Sequence, residues 1–318
     1  MSNPIQKIIV NICTCKRPRM LKACLDSTLT QQLPDNWQLE VHVIDNDPES
    51  TLVNEVENWS MTTTIPIRYF REPRRGIPFA RNTACEYRLK HQADWVVFID
   101  DDELAMNGWL NAYAEAVAKY TSDVYTGPVK YIFPNDSAEW LANKNEDKTI
   151  DGTLKERAAT NNVMIAKHVL SPDGMNLTFD NQMSMMGGSD SDFFIRLVAT
   201  GGKIIFVKNA LVSEEVLPNR TTLVWRLKRQ FRSSTNRIYI YMKLYGPKKT
   251  TFMALKESLR HLLDGTIGLI FSPIFLVAGK NNFKKRFYHA LRHFAKLGGN
   301  IFGLFGMHPE PYRIIDGN

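Results

Sequence analysis

Four consecutive acids, Asp100, Asp101, Asp102 and Glu103, follow the apolar run Trp95-Val-Val-Phe-Ile99. Like charges crowded at the end of a strand raise one another's pKa values, and a divalent cation relieves that repulsion. Carboxylates at alternating positions suit Mg²⁺ or Mn²⁺, with phosphate oxygens completing the shell. A second apolar run, 39–44, ends in Asp45-Asn-Asp47, which places a carboxylate where it can meet a base or a ribose. A third, 8–12, leads into Cys13-Thr-Cys-Lys-Arg-Pro18. There Lys16, Arg17 and the backbone amides of a helix start can approach a phosphate or ribose. Farther on, Gly187-Gly-Ser-Asp-Ser-Asp192 opens an apolar helical stretch. Asp190 or Asp192 could accept a proton there, or either could cap the helix. A solvated acidic turn is the plain alternative for the tetrad.

The elements that must hold these residues alternate strand and helix. Apolar patterning predicts strands over 8–12, 39–44, 67–70 and 95–99, with helices over 18–32, 49–59 and 77–91. Such alternation implies a parallel sheet with crossover connections, and ligands then bind beyond the carboxyl ends of the strands. A further helix is expected over 109–120. The run 124–133 reads as a strand that Pro128 confines to an edge or bends. Short strands are expected over 163–166 and 203–207, and 134–157 reads as a long polar loop. No Gly-rich dinucleotide turn follows the first strand, which disfavours NAD.

Charge divides the chain. Residues 1–219 hold 22 Lys and Arg against 29 Asp and Glu, whereas residues 220–318 hold 18 against 4. The last third reads as long helices whose basic face suits anionic lipid, nucleic acid or a phosphorylated acceptor. The apolar run 266–278, broken by Pro273, is too short by itself for a full transmembrane helix. The helix expected over 281–305 sets Phe283, Phe287, Leu291, Phe294 and Ile301 against Lys285, Arg286, His289, Arg292, His293 and Lys296. That pattern fits a helix lying in a membrane interface. The first apolar run is too short for a signal-peptide core, so the expected location is the cytoplasmic face of a membrane. Cys13, Cys15, Cys24 and Cys85 form neither a disulfide framework nor a zinc pattern and read as buried thiols.

Taken in order, several short stretches resemble a family 2 glycosyltransferase of the GT-A fold, most closely the branch with the succinoglycan-type bacterial polysaccharide enzymes. They are Val10-Asn-Ile-Cys-Thr-Cys-Lys-Arg-Pro18, Val43-Ile-Asp-Asn-Asp47, Gly76-Ile-Pro-Phe-Ala-Arg-Asn82, Ile99-Asp-Asp-Asp-Glu103, Thr160-Asn-Asn162 and Gly187-Gly-Ser-Asp190. The resemblance implies an α/β fold with a mostly parallel mixed sheet flanked by helices and a helical C-terminal extension. A catalytic domain over 1–220 and a basic helical, membrane-associating region over 221–318 follow from it and from the charge division.

Residue by residue, the resemblance implies that Thr14 and Asp45 contact the nucleotide, Asp45 on uracil. Arg81 lies near the base or diphosphate, and Asn162 joins the nucleotide-sugar residues. Asp100 and Asp102 are the outer acids of the metal-binding DxD motif, with Asp102 the direct ligand, and Asp101 touches the ribose. Asp190 is the general base, with Asp192 the alternative. Two departures from the pattern matter: Ser189 stands where the family usually has Glu, and Glu214 and Glu215 stand in the region where many relatives have a metal-binding His, where either carboxylate could serve as the ligand instead. The expected activity is inverting transfer from a UDP-sugar to a saccharide or lipid-linked acceptor, with Mn²⁺ or Mg²⁺ and an anionic membrane as partners and no nucleic acid. A nucleotidyltransferase and a nucleic-acid-binding protein are the alternatives. The first lacks a Gly-rich triphosphate loop here, and the second leaves the acids at the strand ends unexplained.

Overall fold

The computed structural model describes residues 4–134 and 147–310. Residues 135–146, half of the expected long loop, lie outside the described residues. The chain forms two compact units: 4–131 with 147–214, and 132–134 with 215–310.

The first unit contains strands β1 (Gln6–Thr14), β2 (Trp37–Asp45), β3 (Ile67–Arg71), β4 (Trp95–Asp100) and β5 (Glu103–Ala105), with helices α1 (Pro18–Leu29), α2 (Val53–Ser60) and α3 (Ile77–His91) between them. After helix α4 (Trp109–Lys119) come β6 (Val124–Thr126), β7 (Val129–Ile132), β8 (Leu154–Lys155), β9 (Asn162–Ala166), α5 (Lys167–Leu170), α6 (Ser189–Ala199), β10 (Ile204–Phe206) and β11 (Val212–Glu215). Eight strands form one sheet in the order β3-β2-β1-β4-β9-β6-β10-β8. β3, β2, β1 and β4 run parallel, β9 lies antiparallel between β4 and β6, and β8 lies antiparallel to β10.

Alternation along the strands supplies both cores. Ile8, Val10 and Ile12 of β1, with Val41, Val43, Val97 and Ile99, pack against α1, α2 and α4. Ile44, Val96 and Phe98 turn the other way, against Ala80, Ala84 and Cys85 of α3 and Phe193, Phe194 and Leu197 of α6. Helices therefore cover both faces of the sheet. Cys13, Cys24 and Cys85 are buried thiols, and burial pushes Cys13 and Cys85 up to about 12.

Three expectations shift. The helix read over 49–59 begins at Val53, because the Asp47 and Ser50 side chains accept from the amides of Glu49 and Leu52 and hold those residues in turns. The strand read over 124–133 divides at Pro128. β6 stays in the large sheet and β7 joins a second sheet, ordered β5-β11-β7, that the sequence did not announce. Within the expected loop, Leu154–Lys155 pairs with β10.

The second unit is helical. α7 (Leu223–Phe271) bends at Gly246, whose φ of 74° and following Pro247 break the helical path. A 3₁₀ turn, Ser272–Leu276, follows directly, and α8 (Lys280–Leu304) folds back along α7. The apolar run 266–278 is thus no isolated segment. It ends a helix that reaches a mean hydropathy of 1.3 over an 18-residue window, long and apolar enough to cross a membrane by length and composition, with 11% of that window buried. Small residues of α8 make several of its contacts with α7, beside larger ones such as Phe294, which packs at Gly265, and Phe302, which meets Phe231. Ala290 meets Gly268, Gly299 meets Phe231 and Ser234, and Gly303 meets Ile238. Of the apolar face expected to lie in a membrane interface, Phe287 and Ile301 are exposed.

Candidate active site

Register brings the acids together. Cys13 of β1 pairs with Asp100 of β4, and Thr14 pairs with Asp45 of β2, so three parallel strands end at one edge. The Thr14 hydroxyl donates to Asp101 Oδ2 at 2.7 Å. Arg17 Nη1 donates to Asp101 Oδ1 at 3.1 Å and reaches Asp102 Oδ2 at 3.5 Å. The acidic turn is therefore braced from the first strand-to-helix turn, where Pro18 opens α1 with its φ already helical. Lys16 adopts a left-handed φ of 57° and sends its ammonium outward, 3.9 Å from Asp47.

α3 and α6 supply the other side. Arg81, buried on α3, donates to the Ser189 hydroxyl at 3.1 Å and stands 3.9 Å from Asp100. Its guanidinium lies 5.7 Å from the Phe179 ring. Gly187 and Gly188 take φ values of 74° and 85°, which only glycine adopts readily, and they turn the chain into α6. The first turn of α6 then carries Asp190 and Asp192 in different surroundings. Asp192 is buried and gripped by Arg196 at 2.9 and 2.7 Å. Asp190 Oδ1 accepts from the Ser191 amide, and its charge acts on Asp100. The structure joins Thr14, Arg17, Arg81, Asp100, Asp101, Asp102 and Asp190 in one cluster. The serine at 189 is accounted for by its bond to Arg81.

The cluster holds excess negative charge. Burial, with Asp102, Asp101 and Asp190 adding repulsion, pushes Asp100 up to about 7 against the pull of Arg81. Burial likewise pushes Asp101 up to about 6, although Arg17 and Thr14 oppose it. Glu103 is raised well above the usual range by burial and then by Asp100. Arg17 and Arg81 offset this repulsion only in part. An all-oxygen donor set with uncompensated charge fits a hard divalent cation, and 43% of the Asp100 side chain remains open to one.

Other expected residues stand differently. Asp45 is buried beneath Tyr69, whose hydroxyl donates to Asp45 Oδ2 at 3.0 Å, and burial raises its pKa. A base contact there must meet or displace that hydroxyl. Nothing in the alternation of 67–70 singled out Tyr69. Asn46, also unforeseen, ties Glu72 O, Arg74 O and the Gly76 amide into one loop beside the site. Asn162 lies in the core. Its Oδ1 accepts from Trp109 and Tyr113, and its Nδ2 donates to Pro128 O and Ala210 O, so its amide is spent on the fold. Glu214 lies opposite Glu103 in the small sheet, and Glu215 faces the other way along β11.

A separate cluster sits lower on β2. Glu40 Oε1 accepts from His42 and His91, each at 2.9 Å, and from Arg68 at 3.3 Å, while Oε2 meets Lys7 at 3.1 Å. The His and carboxylate atoms are close enough to ligate a metal, within 4.8 Å of one another. Lys7 and Arg68 already meet the charge of Glu40, and the cluster acts as a hub pinning β2 to α3 and β3.

Comparison with known proteins places this geometry. Residues 9–173 match the family described as Glycosyl transferase family 2, more than half of the chain, and the chain belongs to that family. It is 29% identical over 311 residues to the succinoglycan biosynthesis protein ExoM of Rhizobium meliloti (strain 1021), covering 96% of each chain. Its fold is that of GT-A-like glycosyltransferases. It resembles the mannosyltransferase PcManGT of Pyrobaculum calidifontis in complex with GDP-Man and Mn²⁺ (TM-score 0.59, 18% identity, 93% of this chain and 87% of that one). It also resembles S. aureus TarS 1-349 in complex with UDP-GlcNAc (TM-score 0.53, 14% identity, 90% and 79%). Against a longer TarS chain it spans 40% of that protein. The α/β fold and the family expected from the motifs are both borne out.

Proposed function

We propose that the chain is an inverting hexosyltransferase of bacterial surface polysaccharide synthesis. It takes a sugar from a UDP-sugar, UDP-glucose or a similar hexose donor, and passes it to a saccharide or lipid-linked saccharide acceptor. The observation that carries this reading is the pairing of the Asp100–Asp102 cluster with Asp190 across Arg81. Mn²⁺ or Mg²⁺ held by Asp102 and Asp100 would offset charge on the departing diphosphate. Thr14, Arg17 and Asp101 orient the ribose end of the donor, with Lys16 at the rim. Asp45, under Tyr69, faces the base. Asp190 takes the proton of the acceptor hydroxyl as its oxygen bonds to the anomeric carbon and the bond to the diphosphate breaks. Arg81 holds the helix start that carries Asp190 and keeps positive charge beside Asp100. ExoM is named for succinoglycan biosynthesis, which supports a polysaccharide setting.

The second unit supports work at the cytoplasmic face of the inner membrane. Phe252, Leu255, Leu259, Leu263, Ile267 and Ile270 recur at helical spacing along α7 and are exposed. A continuous apolar stripe flanked by basic residues suits the interface of an anionic bilayer.

A thermal-shift series with nucleotide sugars, with and without Mn²⁺, tests the donor. A UDP-sugar with Mn²⁺ should raise the melting temperature above that given by GDP- or ADP-sugars. Stabilisation by GDP-sugars alone removes the uridine assignment, and transfer with retained anomeric configuration removes the inverting mechanism.

A further inference from the structure

The turn between α7 and α8 contains two adjoining cavities, of ≈ 400 and ≈ 290 Å³. Phe275, Arg286 and His289 line both. The first adds Lys285 and Asn282, and the second adds Phe271 and Asp264. Arg286 is not loose: its guanidinium stands 4.6 Å over the Phe275 ring. Asp264 is engaged by Arg260 at 3.4 Å and lies 3.9 Å from His293. No acid occurs between Asp264 and Glu310, whereas Lys280, Lys284, Lys285, Arg286, Arg292 and Lys296 fall in that stretch. Burial, and after it the neighbouring charges of Arg292, Lys285 and Arg286, hold the His289 pKa down. Ile267, Phe271 and Phe275 give the second cavity an apolar wall, and the neighbouring residues Ile270, Ile274 and Val277 are exposed. A basic recess edged by bulky apolar side chains matches a ligand with an anionic head and a hydrocarbon body.

We propose that this recess seats the phosphate headgroup of an anionic membrane phospholipid. Arg286 and Lys285 bind the phosphate, Asn282 lies at the recess wall, and the acyl portion runs along Phe275, Phe271 and Ile267. The assignment rests on the membrane reading above and narrows it from a diffuse basic face to one site. Removing two cations that bind at an anionic surface should weaken partitioning by roughly 10–30-fold.

Flotation of the full chain with phosphatidylcholine vesicles, alone and mixed with phosphatidylglycerol, tests it. Wild type should prefer the mixed vesicles. Lys285→Gln/Arg286→Gln should lose most of that preference and keep its binding to phosphatidylcholine alone. Lys248→Gln/Lys249→Gln removes the same charge from exposed positions elsewhere in the unit and should lose clearly less of the preference. Equal losses in the two double variants mean that net charge is read, and overturn the site. Full preference in Lys285→Gln/Arg286→Gln overturns it while membrane docking stands. Displacement by millimolar glycerol phosphate assigns the recess to a soluble phosphate ester instead and also overturns it. A wild type that floats with neither vesicle removes the membrane reading itself.

Discussion

Asp190 and Asp192 are separated by one residue and by their surroundings. Arg196 holds Asp192 in the core, while Asp190 shares the site with Asp100 and Arg81. Asp190→Asn should keep donor binding and lower transfer by roughly 10²–10⁴, the usual contribution of a general base. Asp192→Asn should act first on stability, because it leaves Arg196 without its ionic partner. Transfer surviving in Asp190→Asn at more than about a tenth of wild type hands the base role elsewhere. Asp102→Ala should abolish the Mn²⁺-dependent part of UDP affinity. The loss should exceed the roughly 10–100-fold that follows removal of an outer-shell partner. Titration calorimetry with UDP, with and without Mn²⁺, reads it, and unchanged affinity removes Asp102 from the metal site.

At the scale of elements, the site depends on how strand ends are held. Gly127 lies where an added Cβ would stand 1.9 Å from Ala210 O and 2.5 Å from Asn162 Nδ2. Both neighbours are fixed, one as backbone and the other by its hydrogen bonds. Gly127→Ala should therefore destabilise the first unit by about 3 kcal/mol, the upper part of the range for overpacking, read as a lower urea midpoint. Glu40 joins β1, β2, β3 and α3 and, with Glu72, contributes to the pH dependence. Burial alone would raise its pKa, but hydrogen bonds from His42 and Lys7 overcome that and hold it at about 2. Its folded pKa lies below its unfolded value, so its contribution is present above about pH 4.3 and is lost as pH falls through about 2. Glu40→Gln should flatten acid denaturation over that window and remove on the order of 2 kcal/mol at pH 7. A variant with the wild-type acid profile would falsify the hub.

At the scale of the whole molecule, two charge regimes meet in one chain. The first 219 residues are acidic where they fold around carboxylates, and the remainder is basic where α7 and α8 present an apolar stripe. Leu255→Glu/Leu259→Glu places two like charges on that stripe without touching the first unit's site. Vesicle binding should fall by at least about tenfold, since each charge is costly in apolar surroundings. Transfer to a water-soluble acceptor should persist. Loss of both together would show that the stripe supports the fold instead.

The sequence by itself determined the family and the order of elements in the first hundred residues. Strong periodicity fixed the parallel strands, and each strand ran into polar residues that parallel topology must gather at one edge. The acids at the strand ends and Arg17 were legible for that reason, whereas Thr14 and the choice of Asp190 over Asp192 came from the family resemblance. Only the tertiary structure separated residues that look alike in sequence. Asn162 belongs to a stretch shared with the family, yet four core hydrogen bonds consume it. Tyr69 over Asp45 and Arg81 on Ser189 are long-range contacts that local spacing does not encode, whereas the i,i+4 spacing of Asp192 and Arg196 allows their pair but not its burial. The small sheet was hidden because β5 and β11 hold three and four residues, too few to display a period. In α8, composition announced an amphipathic helix, but packing set Ala290, Gly299 and Gly303 against α7 together with Phe294 and Phe302, and left Phe287 exposed. Close approach of two helices rewards the smallest side chains, and a one-dimensional hydrophobic pattern does not register that preference.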